Sequence, residues 1–366
     1  MNSSTPRLFI AATEQNVGKT TTALGLYAAL RKQYGRIGFI KPVGQRFVEV
    51  EGKRIDEDSV LIRDTFDTQI PIEDMSPIAV EPQFTRRYIN QSNHDALVRR
   101  IQHSFDRAAW EKEFALIEGT GHAGVGSVFD LSNAKVAKLL NAKVLLVTPA
   151  GIGRPIDEAA LNKALFDKEG VEVIGVVMNK VLPDRVNSIA DVARRGFERL
   201  GIELLGIMPK EKILSQPTLD QVCEHIRGDF IHAEDQGRKR IAFVNIGAMS
   251  SANILRSAQP GSLLIVPGDR EDVILAAISR VREEGGAEAF CGLILSDDLR
   301  PSDRLMELMR EVPLPIIGSS LDSYVIASRI HSMTVKTLPG DTEKIDRIQE
   351  MISANVNIPR ILEKIR

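Results

Sequence analysis

The residues most able to do chemistry lie near the start of the chain, where a short apolar run leads into a polar loop that ends at Gly18, Lys19 and Thr20. This order matches the phosphate-binding pattern G-x-x-x-x-G-K-[ST], except that Thr13 stands in place of the first glycine. In that pattern the lysine reaches the β- and γ-phosphates of a nucleotide, and the following hydroxyl holds Mg²⁺. A chance Gly-Lys-Thr at the start of a helix is the alternative.

The segments on either side of this loop favour the phosphate interpretation. Residues 9–12 read as a strand, and residues 23–31 contain strong helix formers and no proline. The N–H groups at a helix start are unpaired and lie at the positive end of the helix dipole, so they attract an anion. We therefore predict that the loop and the first helical turn bind a nucleotide through Glu14, Asn16, Val17, Gly18, Lys19, Thr20 and Thr21.

A second lysine, Lys41, follows the apolar residues 37–40, which read as another short strand. In parallel α/β sheets ligands gather at the carboxyl ends of the strands, so Lys41 is well placed to meet a phosphate or a substrate anion. A solvated lysine at a strand end is the alternative. Lys19 and Lys41 are the two candidate catalytic residues.

Two acidic positions are candidates for holding Mg²⁺. The acids at 56–58 open a predicted helix, where the helix dipole alone would favour them, but one of these carboxylates could also join an octahedral Mg²⁺ shell. Glu118 directly follows the apolar residues 114–117, the position where phosphate-loop proteins orient Mg²⁺ or its water. An acid in a strand-end turn is the alternative. His122, in the next loop, is either a substrate contact or merely polar.

Near-continuous apolar strands alternate with helices through this half of the chain. Residues 143–148 and 171–177 are such strands, and the pattern predicts a parallel sheet covered by helices on both faces. Asn179 follows the second of them. Its side chain could read the edge of a nucleotide base or form a turn.

The order of these motifs over residues 7–210 resembles the dethiobiotin synthetase family and its cobyrinic acid diamide synthase relatives. The resemblance implies a P-loop NTPase-type sheet that binds ATP, with Lys19 and Lys41 on phosphate or activated substrate. It also implies adenine at Asn179 and Mg²⁺ among Thr20, Asp58 and Glu118.

Two departures concern the substrate of that family. His122 stands where dethiobiotin synthetases have a further glycine, and the residues that bind their diaminopelargonate have no counterpart.

The apolar pattern restarts after a proline- and charge-rich junction at 209–237. Runs at 241–244, 263–266, 291–295 and 314–317 predict a second, smaller α/β domain without a Gly-Lys-Thr. Within it, 268–270 (Gly-Asp-Arg) resembles the signature of the DRTGG domain, although 296–298 (Ser-Asp-Asp) stands where that domain has Thr-Gly-Gly. Asp269 as a helix N-cap is the structural alternative. We predict domains at 1–210 and 211–332 and a C-terminal helical tail at 333–366.

Composition narrows the range of functions. A chain of 366 residues exceeds what one core usually supports, and a net charge of −2 gives no electrostatic case for nucleic acid or an anionic membrane. No apolar segment approaches 18 residues, and the short N-terminal run does not form a signal peptide, so we expect a cytoplasmic protein. Cys223 and Cys291 lack the neighbours of a zinc site or a redox pair. Cys291 lies in an apolar run and is expected to be a buried thiol, with a nucleophile as the alternative.

Two functional hypotheses follow. A DRTGG domain beside a dethiobiotin-synthetase-like module resembles the N-terminal accessory region of bacterial phosphate acetyltransferases, which implies a nucleotide-binding regulatory or sensor protein, free-standing and without the acetyl-transferring domain. The other hypothesis is an ATP-dependent ligase that phosphorylates a carboxylate or carbamate. Enzymatic activity, including slow ATP hydrolysis, stays open. A purely structural protein is a remote third. Expected partners are Mg-ATP, an unidentified small-molecule effector or substrate, and further copies of the chain.

Overall fold

Two sheets, one in each of two units, organise the chain in this computed structural model, which describes residues 5–283 and 289–366. The first unit runs to Glu211 and resumes at Thr337, and the second unit is Lys212–Lys336. The second unit is therefore inserted into the sequence of the first.

The first unit up to Glu211 is built from strands that alternate with helices. Its strands are β1 (Arg7–Ala12), β2 (Ile37–Ile40), β3 (Val43–Gly44), β4 (Phe47–Val50), β5 (Lys53–Asp56), β6 (Ile78–Ala79), β7 (Phe114–Glu118), β8 (Lys143–Thr148), β9 (Val173–Val181) and β10 (Leu204–Pro209). Its helices are α1 (Lys19–Arg31), α2 (Glu57–Phe66), α3 (Ile72–Met75), α4 (Phe84–Asn90), α5 (His94–Ala108), α6 (Asn133–Leu139), α7 (Arg154–Glu169) and α8 (Val186–Glu198), with 3₁₀ turns at Ser127–Phe129 and Pro183–Arg185.

Six of these strands form one parallel sheet in the order β10-β9-β8-β1-β7-β2. Every residue of β1, β7 and the edge strand β2 is buried, so both faces of the sheet are covered from β1 to its β2 edge. Unbroken apolar sequence in these strands is the cause, because alternate residues point to opposite faces. The predicted parallel sheet with helices is confirmed.

The second unit is a smaller α/β arrangement. It contains α9 (Leu219–Ile226), β11 (Asp229–His232), β12 (Phe243–Ile246), α10 (Ser251–Ser257), β13 (Ser262–Pro267), α11 (Glu271–Arg282), β14 (Phe290–Ser296), α12 (Asp303–Arg310), β15 (Ile316–Gly318) and α13 (Ser323–Ser332), with 3₁₀ turns at Ile213–Ser215 and Glu234–Gln236. Its sheet has the order β11-β15-β14-β13-β12, in which β11 is antiparallel and the other strands are parallel.

Alternation along the strands of the second unit divides its core into two halves. Leu264 and Leu293 pack with apolar residues of α10, α11 and α12. Their neighbours Leu263 and Ile294 pack on the other face with residues of α9 and α13. The predicted second α/β domain is confirmed, and both cysteines lie in it as buried free thiols.

The N-cap interpretation of Asp269 is wrong. Helix α11 begins at Glu271, and Arg270 is the residue at its N-cap position. The first turn of the helix carries the acids Glu271 and Asp272, which suit the positive end of its dipole. Only the N-cap position was predicted one residue too early.

After the second unit the chain returns to the first as α14 (Thr342–Asn355) and α15 (Ile358–Ile365). Helix α14 packs closely on α1, since a Cβ added at Gly25 would lie 2.3 Å from Cγ1 of Ile352. The Arg360 guanidinium pairs with Glu203 beside β10 at 3.1 Å. The segment expected as a helical tail is thus part of the first unit. Within the ranges that the structure describes, no helix has the length and apolar character needed to cross a membrane.

Candidate functional site

The phosphate loop, residues 13–20, lies between β1 and α1 at the carboxyl end of the first sheet. Its start is held by the Thr13 N–H, which donates to the Val147 carbonyl oxygen at 3.0 Å. Gly18 takes the N-cap position of α1 with φ 102° and ψ 34°, a left-handed conformation that favours glycine. A Cβ at Gly18 would also lie 2.1 Å from Nδ2 of Asn179. Conformation and space therefore both require glycine at this position.

Asn179 and Lys180 fix the middle of the phosphate loop. The Asn179 amide Nδ2 donates to the Val17 carbonyl oxygen at 2.7 Å, and the Lys180 ammonium donates to the Asn16 carbonyl oxygen at 2.6 Å. Both residues lie within β9, so the turn-forming interpretation of Asn179 is wrong. The structure gives Asn179 a contact with the loop, and its contact with adenine stays a prediction.

Lys19 and Thr20 open helix α1 beside the end of β7. The Lys19 side chain is buried, and the Thr20 hydroxyl donates to Oε1 of Glu118 at 2.9 Å. The lysine and hydroxyl of the phosphate loop and the carboxylate at the end of β7, predicted from two separate stretches of sequence, are thus brought to one place. Thr21 follows in the same helical turn, while the Glu14 carboxylate at the loop's start pairs with Arg154 at 2.6 Å.

Lys41 lies among three carboxylates, which we name the carboxylate cluster: Asp56, Asp58 and Glu118. Its ammonium contacts Asp58 directly, Asp56 at 3.3 Å and Glu118 at 3.4 Å. Only 6% of Lys41 is exposed, so the interpretation as a solvated strand-end lysine is wrong. A buried ammonium persists only with such compensation, because removing a charge from water is costly.

The local chain explains how these groups reach one another. The Lys41 N–H donates to the Met75 carbonyl oxygen at 2.8 Å, which fixes the residue just beyond β2. Asp56 is the N-cap of α2, and its Oδ1 accepts from the Asp58 N–H at 3.0 Å. The helix-start interpretation of this acidic segment is confirmed, since Asp56 caps α2. A place for one of these carboxylates in a Mg²⁺ shell stays a prediction.

The close pairing of Lys41 with the carboxylate cluster sets the protonation states of Lys41 and Asp58. Burial disfavours the charged form of Lys41, yet Asp58, Glu118 and Asp56 raise its pKa well above the usual value. Burial would likewise raise the pKa of Asp58, but the Lys41 ammonium outweighs it and holds that pKa below its usual value. These two groups therefore remain an ion pair at neutral pH.

Glu118 and Lys19 are shifted toward neutrality instead. Burial raises the pKa of Glu118 to about 7, against the opposing effect of Lys41 and with a contribution from Asp58. Burial lowers the pKa of Lys19 to about 8, against the opposing effect of Glu118 and with a contribution from Lys41. Strongly shifted titratable groups at a strand-end loop are typical of functional sites.

The donor set fits a Mg²⁺ ion that arrives with a nucleotide. Oε2 of Glu118 is buried and has no hydrogen-bond partner, while Thr20 and Asp58 lie beside this carboxylate. Across the part of the chain that the structure describes, no group of three or more His, Cys, Asp or Glu side chains could hold a metal ion. Mg²⁺ needs fewer protein ligands, because it takes one or two carboxylates together with phosphate oxygens and water.

Two buried asparagines organise the site and were missed by the sequence analysis. Asn162 of α7 donates to the Thr13 carbonyl oxygen at 3.2 Å and accepts from the Ala123 N–H at 2.7 Å, so it joins the phosphate loop to the loop after β7. Asn133 accepts from the Thr120 N–H at 3.1 Å. A polar residue on the buried side of a helix is the only signal that the sequence offers for either. His122, in the same loop, is exposed, and its Nδ1 accepts from Gly124 at 3.2 Å.

The corresponding strand ends of the second unit are organised by close backbone contacts. A Cβ at Gly268 would lie 1.8 Å from the carbonyl oxygen of Leu299, so only glycine lets these two loops meet. Asp297 and Asp298, which follow β14, have φ of 64° and 56°. Aspartate tolerates this left-handed region, in which the Gly-Gly of the DRTGG signature would be unstrained.

Comparison with protein families agrees with the two units. The family described as an AAA domain (AAA_26) matches residues 6–218, more than half of the chain. The chain belongs to the AAA_26 family. The DRTGG domain matches residues 221–333, so the predicted resemblance is confirmed. Below, residues 6–218 are called the AAA domain and residues 221–333 the DRTGG domain.

Relatives with curated names are phosphate acetyltransferases. The one from Pseudomonas aeruginosa is 29% identical over 95% of this chain and 50% of the relative, and the one from Synechocystis is 25% identical over 99% and 52%. The chain thus spans about half the length of the curated relatives it matches. Among solved structures, the MinC:MinD cell division protein complex from Aquifex aeolicus is similar at 17% identity, with a TM-score of 0.36 over 57% of this chain and 83% of that chain.

Proposed function

We propose that the AAA domain binds Mg-ATP and that the protein acts as a nucleotide-responsive regulatory module related to the matched half of the phosphate acetyltransferases. The observation that carries this proposal is the contact of the Thr20 hydroxyl with Glu118 beside Lys19, since this set can hold a metal ion against a bound phosphate. The pairing with a DRTGG domain supports the regulatory part. A cytoplasmic location, a small-molecule effector and self-association belong to the same proposal.

Calorimetry with the full chain tests the nucleotide site. Purified protein with Mg²⁺ is expected to bind ATP, and Lys19→Ala is expected to weaken binding at least about 100-fold, or about 2.7 kcal/mol, because a charge-assisted contact with phosphate is lost. Lys32→Ala removes an exposed lysine beyond the far end of the same helix and is the matched control. No heat with ATP, GTP or their diphosphates would contradict the proposal.

A second function, an ATP-dependent ligase acting on a carboxylate or carbamate, is favoured by one observation. Lys41 is held beside Asp58 and Glu118, where its charge could stabilise a phosphoryl group during transfer. Under this alternative, Lys41→Ala keeps most of the ATP affinity and abolishes turnover. A screen of metabolites for rapid, stimulated release of ADP separates the two functions, because a regulatory module hydrolyses ATP slowly with every metabolite.

A further inference from the structure

We propose that the Lys41 ammonium takes the place of the divalent cation in the AAA domain without nucleotide, so that Mg²⁺ enters the site only together with a phosphate. This deepens the proposed function, on which it rests. It predicts that the chain alone has little affinity for Mg²⁺ even though it carries a buried carboxylate cluster.

The first step is the arrangement of charge around Lys41. One ammonium is surrounded by three carboxylates, at 3.3 Å from Asp56, 3.4 Å from Glu118 and in direct contact with Asp58. Such a shell of oxygens around a cation resembles the hard-oxygen environment that Mg²⁺ prefers. In this structure the Lys41 ammonium therefore compensates the negative charge of the carboxylates, which a divalent ion in the site would otherwise compensate.

The second step is that the ammonium and the metal ion would need the same carboxylates. Oε1 of Glu118 lies within 3.4 Å of the Lys41 ammonium and also accepts from the Thr20 hydroxyl. Asp58, the other acidic candidate for Mg²⁺, has its Oδ2 in contact with Lys41. Two cations cannot sit beside these two carboxylates at low cost, because charges of the same sign repel strongly in a buried site.

The third step is that only the side chain of Lys41 has to move. Its backbone N–H is bonded to the Met75 carbonyl oxygen, but the four-carbon stem of lysine is flexible and its three donors suit phosphate as well as carboxylate. A triphosphate at the phosphate loop offers the ammonium a second set of anionic oxygens. Once the Lys41 ammonium contacts these phosphate oxygens instead, the carboxylates of Asp58 and Glu118 are available to bind the metal ion.

Binding of Mn²⁺ to the full chain, followed by the EPR signal of free Mn²⁺, tests this competition. Without nucleotide, Lys41→Met is expected to bind Mn²⁺ at least tenfold more tightly than the wild type, because the cluster has lost its internal cation. Lys19→Met removes the other lysine of the site and is the matched control. It is expected to bind Mn²⁺ as weakly as the wild type, whereas an equal gain in both variants would overturn the proposal.

Loss of Lys41 leaves buried carboxylates without their partner, so the fold of each variant is checked by circular dichroism. Lys41→Met combined with Asp56→Asn keeps the formal net charge of position 41 and the carboxylate cluster taken together, and it retains an N-cap residue on α2. This double variant is used if the single variant does not fold. The same tenfold gain is expected. An affinity equal to that of the wild type would overturn the proposal.

The wild type supplies a measurement that needs no variant. A non-hydrolysable ATP analogue is expected to increase the affinity for Mn²⁺ at least tenfold beyond that of the analogue alone in solution. Tight Mn²⁺ binding without nucleotide would overturn the competition while leaving the nucleotide site intact. Failure of the analogue to bind would instead contradict the proposed function, and the two failures are thereby distinguished.

Discussion

At the carboxyl end of the first sheet, Lys41 is 6% exposed and Glu118 is completely buried, whereas at the corresponding end of the second sheet Asp269 and Asp297 are exposed. Both sets of residues follow parallel strands, and both lie near a glycine that permits a close approach. The first set bears the cost of desolvation and is held by ion pairs, while the second set is solvated.

This contrast indicates how a functional site differs from a tight turn in two similar folds. Exposed acids at a helix start are explained by the dipole and by the turn itself, so the acids of the DRTGG domain need no ligand to account for them. Buried charges of both signs have no such local explanation, and the pKa values of Glu118 and Lys19 are moved toward neutrality. Burial rather than the number of acids therefore locates the candidate site in the AAA domain.

The largest effect is expected when the glycine of the phosphate loop is replaced. In Gly18→Ala the new Cβ meets the Asn179 amide, and a φ of 102° strains any residue with a side chain. We expect a loss of ATP affinity of about 100-fold or more, measured by calorimetry, because the donors of the loop no longer converge on phosphate.

Gly268→Ala is the matching change in the DRTGG domain, where the new Cβ meets the Leu299 carbonyl oxygen. It should lower the free energy of unfolding by more than about 2 kcal/mol, measured by denaturant titration, and leave ATP affinity unchanged. An equal loss of nucleotide binding in both variants would remove the distinction between the two strand ends.

A smaller effect is expected from pH. Glu118, with a pKa of about 7, must be ionised to hold a metal ion, and Lys19, with a pKa of about 8, must be protonated to attract phosphate. Affinity for Mg-ATP should therefore peak between these values and fall about tenfold at one pH unit beyond either of them, as measured by calorimetry. Glu118→Gln should remove the loss of affinity at low pH and keep the loss at high pH. A wild-type affinity for Mg-ATP that does not change with pH would contradict the roles assigned to Glu118 and Lys19.

The smallest effect is expected at Asp297, whose φ of 64° costs about 1 kcal/mol in a residue other than glycine. Asp297→Gly should stabilise the DRTGG domain by about 0.5 kcal/mol, since the relief of strain exceeds the entropy that glycine loses on folding. Thermal unfolding of the variant and the wild type measures this change in stability. Asp269→Gly is the control, because Asp269 does not have a positive φ, and it should destabilise the domain slightly.

The sequence was informative where neighbouring residues act together. Gly18, Lys19 and Thr20 are adjacent, and the apolar strands are short and continuous, so local pattern alone predicted the phosphate loop and the parallel sheet. Helical structure in the C-terminal residues 333–366 was also predicted, and Ile348 and Ile352 are buried in helix α14 there.

Contacts between distant segments were less accessible from the sequence. Asn162 acts on Thr13 from 149 residues away, and no spacing rule links a helix asparagine to a loop so far from it. The burial of Lys41 was equally hidden, because its partners come from β5, α2 and β7 and are gathered only by the fold. The prediction that Asp269 is the N-cap of α11 was wrong by one residue, which is the usual uncertainty at helix ends.

The insertion of residues 212–336 has a consequence for biosynthesis. Helix α1 leaves the ribosome before α14, the helix that covers it through Gly25 and Ile352 and that is translated more than 300 residues later. The side of α1 that packs on α14 therefore stays uncovered while the whole inserted unit is translated. A nascent chain that ends before α14 would expose this surface, and exposed apolar surface on partly made chains favours aggregation.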